Sequence, residues 1–372
     1  MKRSILLSLP LVLVSTVLVG TVLVSTVASA QIVLPPGASP QATQDPGYQA
    51  LMATCKTPQA TPARGGGGRG GRAAGPRGGG PADAAFPPAP ADYTVTAIPG
   101  VVAAGARWTK VWEVSGNNAD GILADSNGDM LIAQNHNSAV VRLDQSGNVT
   151  TVYRDTHTGG ALSMNKKGEL FVVQRGLRSN VSQLAPARRV LADTLQNGDP
   201  LDCLGGVIND LTAHSNGSVY FTMGGLFRVD PSGTVTPYGE NLRTNGVVLS
   251  PDERTLYVTN GNTVAAFDVQ PDGSLANQRQ FVELPSGGGD GLTVDSEGRL
   301  YITAGPALHV ASPEGKLLGS IPAPYGLITG AFGGPDKKTV YAVVSLRDPD
   351  GLQHAYVYSI PMIAQGYMGR AK

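Results

Sequence analysis

The sequence predicts an all-β protein, a six-bladed β-propeller carried behind a disordered Gly/Pro/Arg-rich N-terminal tail. Three observations predict it: a β-hairpin that recurs six times, no amphipathic helical period between the recurrences, and an abrupt change of composition near Tyr93. In chain order, the elements are a leader over residues 1–30, a low-complexity linker over 31–92 and the propeller over 93–372.

Lys2 and Arg3 precede an apolar run over residues 5–27, and Ala28-Ser29-Ala30 stands before Gln31. A basic start, an apolar stretch and small residues at −3 and −1 describe a secretory signal, so export to the periplasm or the medium is expected. The run is long enough to span a bilayer as an uncleaved anchor, but Pro10 and its Ser, Thr and Gly residues dilute it. No later segment is apolar enough to span, so no membrane span remains after cleavage. The linker shows no apolar period, and residues 64–80 hold ten glycines and four arginines with no aromatic residue. Such a stretch cannot bury enough surface to offset its ordering entropy. An arginine–glycine tract can bind RNA, yet in an exported chain it reads as a tether. Cys55 lies in this tail and Cys203 in the body; the simpler reading is two unrelated thiols, and an exported chain also permits a bridge between them.

The 372 residues carry 28 basic and 28 acidic side chains, and only 15% are charged. With no long-range field, nucleic acid is excluded as a main partner. Two cysteines exclude a disulfide scaffold, a zinc ribbon and an iron–sulfur site. The neutral total conceals 7 basic against 3 acidic groups in residues 1–92 and 21 against 25 in the remainder. The body is therefore mildly acidic.

Within that body the hairpins are LADSNGDMLIA, LSMNKKGELFVV, LTAHSNGSVYFT, VLSPDERTLYVT, LTVDSEGRLYIT and AFGGPDKKTVYAVV. Each has a polar turn followed by alternating apolar residues. Outer strands with their own turns follow, as in LFRVDPSGTVTPY, which makes four strands per unit and matches propeller blades. A β-sandwich would not explain six equivalent hairpins.

Eight positions before the turn residues Gly128, Gly168, Gly217, Glu253, Gly298 and Lys338 stand Asp120, Gly160, Asn209, Asn245, Asp290 and Gly330. In a propeller, equivalent positions are related by rotation about the axis, so these side chains point to one spot. Two carboxylates and two amides meeting there repel or sit unsatisfied unless something positive is bound. Asx hydrogen bonds in turns are the ordinary use of such residues, but four in one register point to a divalent metal ion held by Asp120, Asn209, Asn245 and Asp290. Oxygen-only donors favour calcium, with magnesium, manganese or zinc as alternatives.

These residues, together with INDLTAHSNGSVYFT, the Asn-Gly-then-SPDE segment, GGGDGLTVDSEGRLYIT and AFGGPDKKTVYAVV, resemble the senescence marker protein, gluconolactonase and luciferin-regenerating enzyme family over residues 110–372. The resemblance implies a calcium-dependent propeller that hydrolyses lactones and related esters. It implies Asn209, Asn245 and Asp290 as metal ligands, Asp290 as general base, Asn209 also as a donor to substrate, and Arg178 of QRGLRSN as a substrate-orienting cation. It departs at Asp120-Gly121-Ile122, where the family has Glu-Gly-Pro, and at Val207, Met223 and Gly330. His136 and His157 lie in longer connections that can reach the tunnel mouth, while His214 sits at a turn. No Gly-x-Ser-x-Gly elbow, phosphate loop or dinucleotide fingerprint is present. The expected partner is a small lactone or ester; the alternative is a non-catalytic, metal-stabilised propeller that binds a ligand or protein.

Overall fold

Short runs of β-branched and aliphatic residues between Gly-, Asn- and Asp-rich turns extend into strands, and the computed structural model, which describes residues 40–56 and 93–371, arranges them as six four-stranded antiparallel sheets. The innermost strands are Ala119–Ala124, Gly159–Met164, Leu211–Ala213, Thr244–Leu249, Leu292–Val294 and Leu327–Gly333, which define the first to sixth blades. Each innermost strand packs against the next, and the sixth packs back on the first. The sixth blade takes its outermost strand, Thr109–Ser115, from the start of the body, paired with Gln353–Pro361 from its end. That pairing closes the ring, so the first and last strands hold each other.

Alternation along the strands places apolar side chains on both faces of every blade. Six apolar clusters result, one at each blade interface. Leu123 and Leu131 face the second blade, whereas Ile122, Met130 and Ile132 face the sixth. Burial of these side chains between sheets is the main stabilising term.

The linker departs from expectation. Residues 40–56 form two helical turns, Pro40–Gln44 and Tyr48–Met52, with Tyr48 and Leu51 buried. Cys55 and Cys203 are joined in a disulfide, with Cα atoms 5.6 Å apart, and not held as unrelated thiols. The backbone N–H of Lys56 donates to the Asp199 carboxylate at 3.0 Å. A 148-residue separation hid this pairing from any local pattern. The leader, the Gly/Arg tract and the remainder of the linker lie outside the described residues. Among the described residues, no helix is long and apolar enough to cross a membrane.

Candidate functional site

Each inner hairpin reverses through a residue with positive φ: Gly128, Gly168, Gly217, Glu253, Gly298 and, in the sixth blade, Lys337. The left-handed residue of the sixth turn is thus Lys337, not Lys338. Counting eight back from it gives Thr329 and corrects Gly330, because a one-residue slip in a strand turns the side chain to the other face. A Cβ on Gly330 would lie 3.3 Å from the Tyr341 carbonyl oxygen, within its own blade. Asp120, Asn209, Asn245, Asp290 and Thr329 line one small cavity of about 10 Å³, near the space one water-sized occupant needs. The five residues converge as the register implies.

In the first, fourth and fifth blades the next position along the strand is a glycine, which lets the strands crowd closely. A Cβ at Gly246 would collide with the Asp290 carbonyl oxygen, and one at Gly291 with Thr329, so only glycine lets the following blade pass. The third blade carries Asp210 there instead. Its carboxylate accepts the N–H of Leu211 and, across the blade interface, that of Val247, both at 2.8 Å. Thr222 donates to the Asn245 carbonyl at 2.5 Å and Thr303 to that of Ile328 at 2.7 Å. These bonds fix the strand ends that present the ring.

The second-blade position, Gly160, leaves a space that a cation fills. A Cβ there would collide with the guanidinium of Arg175, which follows the strand Leu170–Gln174. Arg175 is only 8% exposed and ion-pairs with Asp120. Its Nε donates to the Ile208 carbonyl at 2.9 Å, and its Nη2 to the Asn209 carbonyl and Oδ1, each at 2.7 Å. Asn209 Nδ2 then donates to Asn245 Oδ1 at 2.6 Å. A continuous chain of contacts therefore runs Asp120, Arg175, Asn209, Asn245.

Arg178, the expected substrate cation, is exposed and has a left-handed φ of 63°. It does not line the cavity, and the guanidinium beside the ring belongs to Arg175 three residues earlier. The sign available in the sequence was Gly160 itself, a ring position without a side chain. Val207 brings no charge to Asn209, yet Arg175 supplies one from the neighbouring blade. Met223 is buried in the core between the second and third blades. His136 and His157 are exposed, and no histidine lines the cavity. His309 is buried with Nδ1 2.7 Å from Ser320 Oγ, and burial lowers its pKa below the usual histidine value.

Among the described residues, no three Asp, Glu, His or Cys side chains gather as a metal cluster. The ring offers two carboxylates and two amides instead, all half-buried, around a cavity of one occupant's size. This oxygen-only set fits a hard divalent cation and not a soft one. Asp120, Asn209 and Asn245 each already have an oxygen engaged by a protein donor, so an ion that takes the Asp120 oxygen facing Arg175 competes with that guanidinium.

Fold and site together define a class: six-bladed propellers with an oxygen-lined axial cavity at one end of the inner strands. Residues 156–345 match the SMP-30/Gluconolactonase/LRE-like region, and the chain belongs to that family. A gluconolactonase of Zymomonas mobilis is 25% identical over 264 residues, covering 59% of this chain and 71% of that protein. The structure of a gluconolactonase from Xanthomonas campestris aligns with a TM-score of 0.60 at 20% identity, covering 75% of this chain and 98% of that one. That of regucalcin from Agrobacterium tumefaciens, described as a calcium-binding protein, aligns with a TM-score of 0.54 at 18% identity, over 70% and 97%.

Proposed function

We propose that this protein is an exported, divalent-cation-dependent hydrolase that opens a lactone or related ester. The observation that carries the reading is the convergence of Asp120, Asn209, Asn245 and Asp290 on one cavity in a chain whose relative is a gluconolactonase. Those four side chains would hold the ion, calcium by the hardness of its donors, with magnesium, manganese or zinc as alternatives. When bound, such an ion supplies Lewis-acid polarisation of the substrate carbonyl.

The residues of the chain do the rest. Asp290 accepts a proton from the water that attacks the carbonyl carbon. The ring C–O bond then breaks, and the departing oxygen takes up a proton to give a hydroxy acid. Asn209, which lines the cavity, donates an amide N–H to a substrate oxygen. Asp210 keeps Asn209 in place by tying its strand to the fourth blade. Export is supported by the signal-like residues 1–30 and by the Cys55–Cys203 disulfide, since such bonds persist in oxidising compartments.

A panel of sugar, aliphatic and aromatic lactones, assayed with and without chelator, tests the reading. Turnover that is lost on chelation and restored by calcium is expected. The Arg175–Asp120 pair favours a second reading, a propeller closed by its own guanidinium that binds a ligand or partner without turnover. No turnover of any lactone or ester, with or without added metal, would select it.

A further inference from the structure

We infer that Arg175 is a resident cation that competes with the divalent ion for the ring, an inference that rests on the metal reading above. Its guanidinium enters where Gly160 leaves the ring without a side chain, and it pairs with the Asp120 carboxylate in a half-buried setting. Its Nη2 also occupies Asn209 Oδ1. Two of the four donor side chains are thus held by one protein cation, and a third, Asn245, is held by Asn209. An ion and Arg175 cannot both take the same lone pairs of Asp120 and Asn209, and their like charges repel at short range in a partly desolvated site.

The remaining bonds of Arg175 make the exchange local. Nε on the Ile208 carbonyl and Nη2 on the Asn209 carbonyl involve backbone atoms only, so the guanidinium stays anchored when Asp120 turns to an ion. With Arg175 in place, Asp120 is compensated without metal. The propeller therefore folds before the ion arrives, unlike domains in which metal binding is folding.

Calorimetric titration of the full chain with calcium tests this. Arg175→Met and Arg175→Gln each remove the competing charge, and Gln retains a polar group that can reach the Ile208 and Asn209 carbonyls should Met disturb folding. The expected result is at least a tenfold gain in calcium affinity for either folded variant, and a larger calcium-induced rise in Tm than in the wild type. Equal or weaker calcium binding by the variants overturns the competition. If turnover still depends on calcium in that case, the metal reading survives alone. If neither the wild type nor the variants bind calcium, magnesium, manganese or zinc, the competition and the metal reading both fall.

Discussion

The two ends of the propeller's inner strands each carry a buried arginine, and only one of the two holds a ring carboxylate. At the end where the inner strands begin, Arg175 meets the carboxylate of Asp120 and the amide of Asn209. At the hairpin end, Arg370 reaches in from the C-terminal segment and donates to Thr212 Oγ1 at 3.0 Å and to the carbonyls of Leu249 and Ser250 at 2.5 and 3.2 Å. Residues 362–371 cross that end and touch five blades. They pair Gly366 with Asp295 and Ala371 with Met164, and Gly366 N–H reaches the Lys337 carbonyl. Lys337 Nζ in turn donates to the carbonyls of Tyr367 and Arg370 at 2.9 and 3.1 Å. A cation on a carboxylate can be exchanged for another cation, whereas a cation on a hydroxyl of the third blade and two carbonyls of the fourth is a fastener. One end is suited to chemistry and the other to closure.

Changes at the two ends should therefore separate activity from stability. The largest expected effect is at the ring: Asp290→Asn should lower turnover about 10²–10⁴-fold with the melting temperature little changed, read from initial rates and a thermal melt. Comparable rates would remove Asp290 as the base. Next is the Cys55–Cys203 bridge. Cys203→Ser should lower stability by about 2–4 kcal/mol in denaturant titration, since the bond ties residues 40–56 to the segment leading into Asn209. At the closed end, Arg370→Met leaves the Leu249 and Ser250 carbonyls without their donor and should cost about 2 kcal/mol, while kcat of the folded fraction holds. A loss of kcat there would break the division between the ends.

The smallest effect is a pH dependence confined to the closed end. Burial, and then the charge of Arg370, push the Lys337 pKa down to about 8 from its ordinary 10.5. Between those values the unfolded chain holds more protons than the folded one, so stability rises with pH across that window. The contribution is complete above 10.5 and is lost as pH falls through about 8. Denaturant midpoints at pH 7.5 and 9.5 should show the rise in the wild type, and Lys337→Met should flatten it.

The blades and four ring positions were legible because both follow from local rules: alternation marks the strands, and a fixed distance from each turn marks the ring. The sixth position was misplaced at Gly330 because Lys337, unlike the glycines of four other turns, carries the left-handed conformation without announcing it. Arg175 was passed over for Arg178 because both lie on one short loop. Only the left-handed backbone at Arg178 and the empty space at Gly160 decide which guanidinium turns inward. The Cys55–Cys203 bond and the Arg370 fastener join segments far apart in sequence, and no periodicity reports such contacts.

A crystal structure of the protein grown with saturating calcium tests the central claim most directly. An ion in the axial cavity is expected, with oxygens of Asp120, Asn209, Asn245 and Asp290 at about 2.3–2.6 Å and with Arg175 parted from Asp120 but still on the Ile208 carbonyl. A cavity without an ion, or Arg175 still paired with Asp120 beside one, would contradict it.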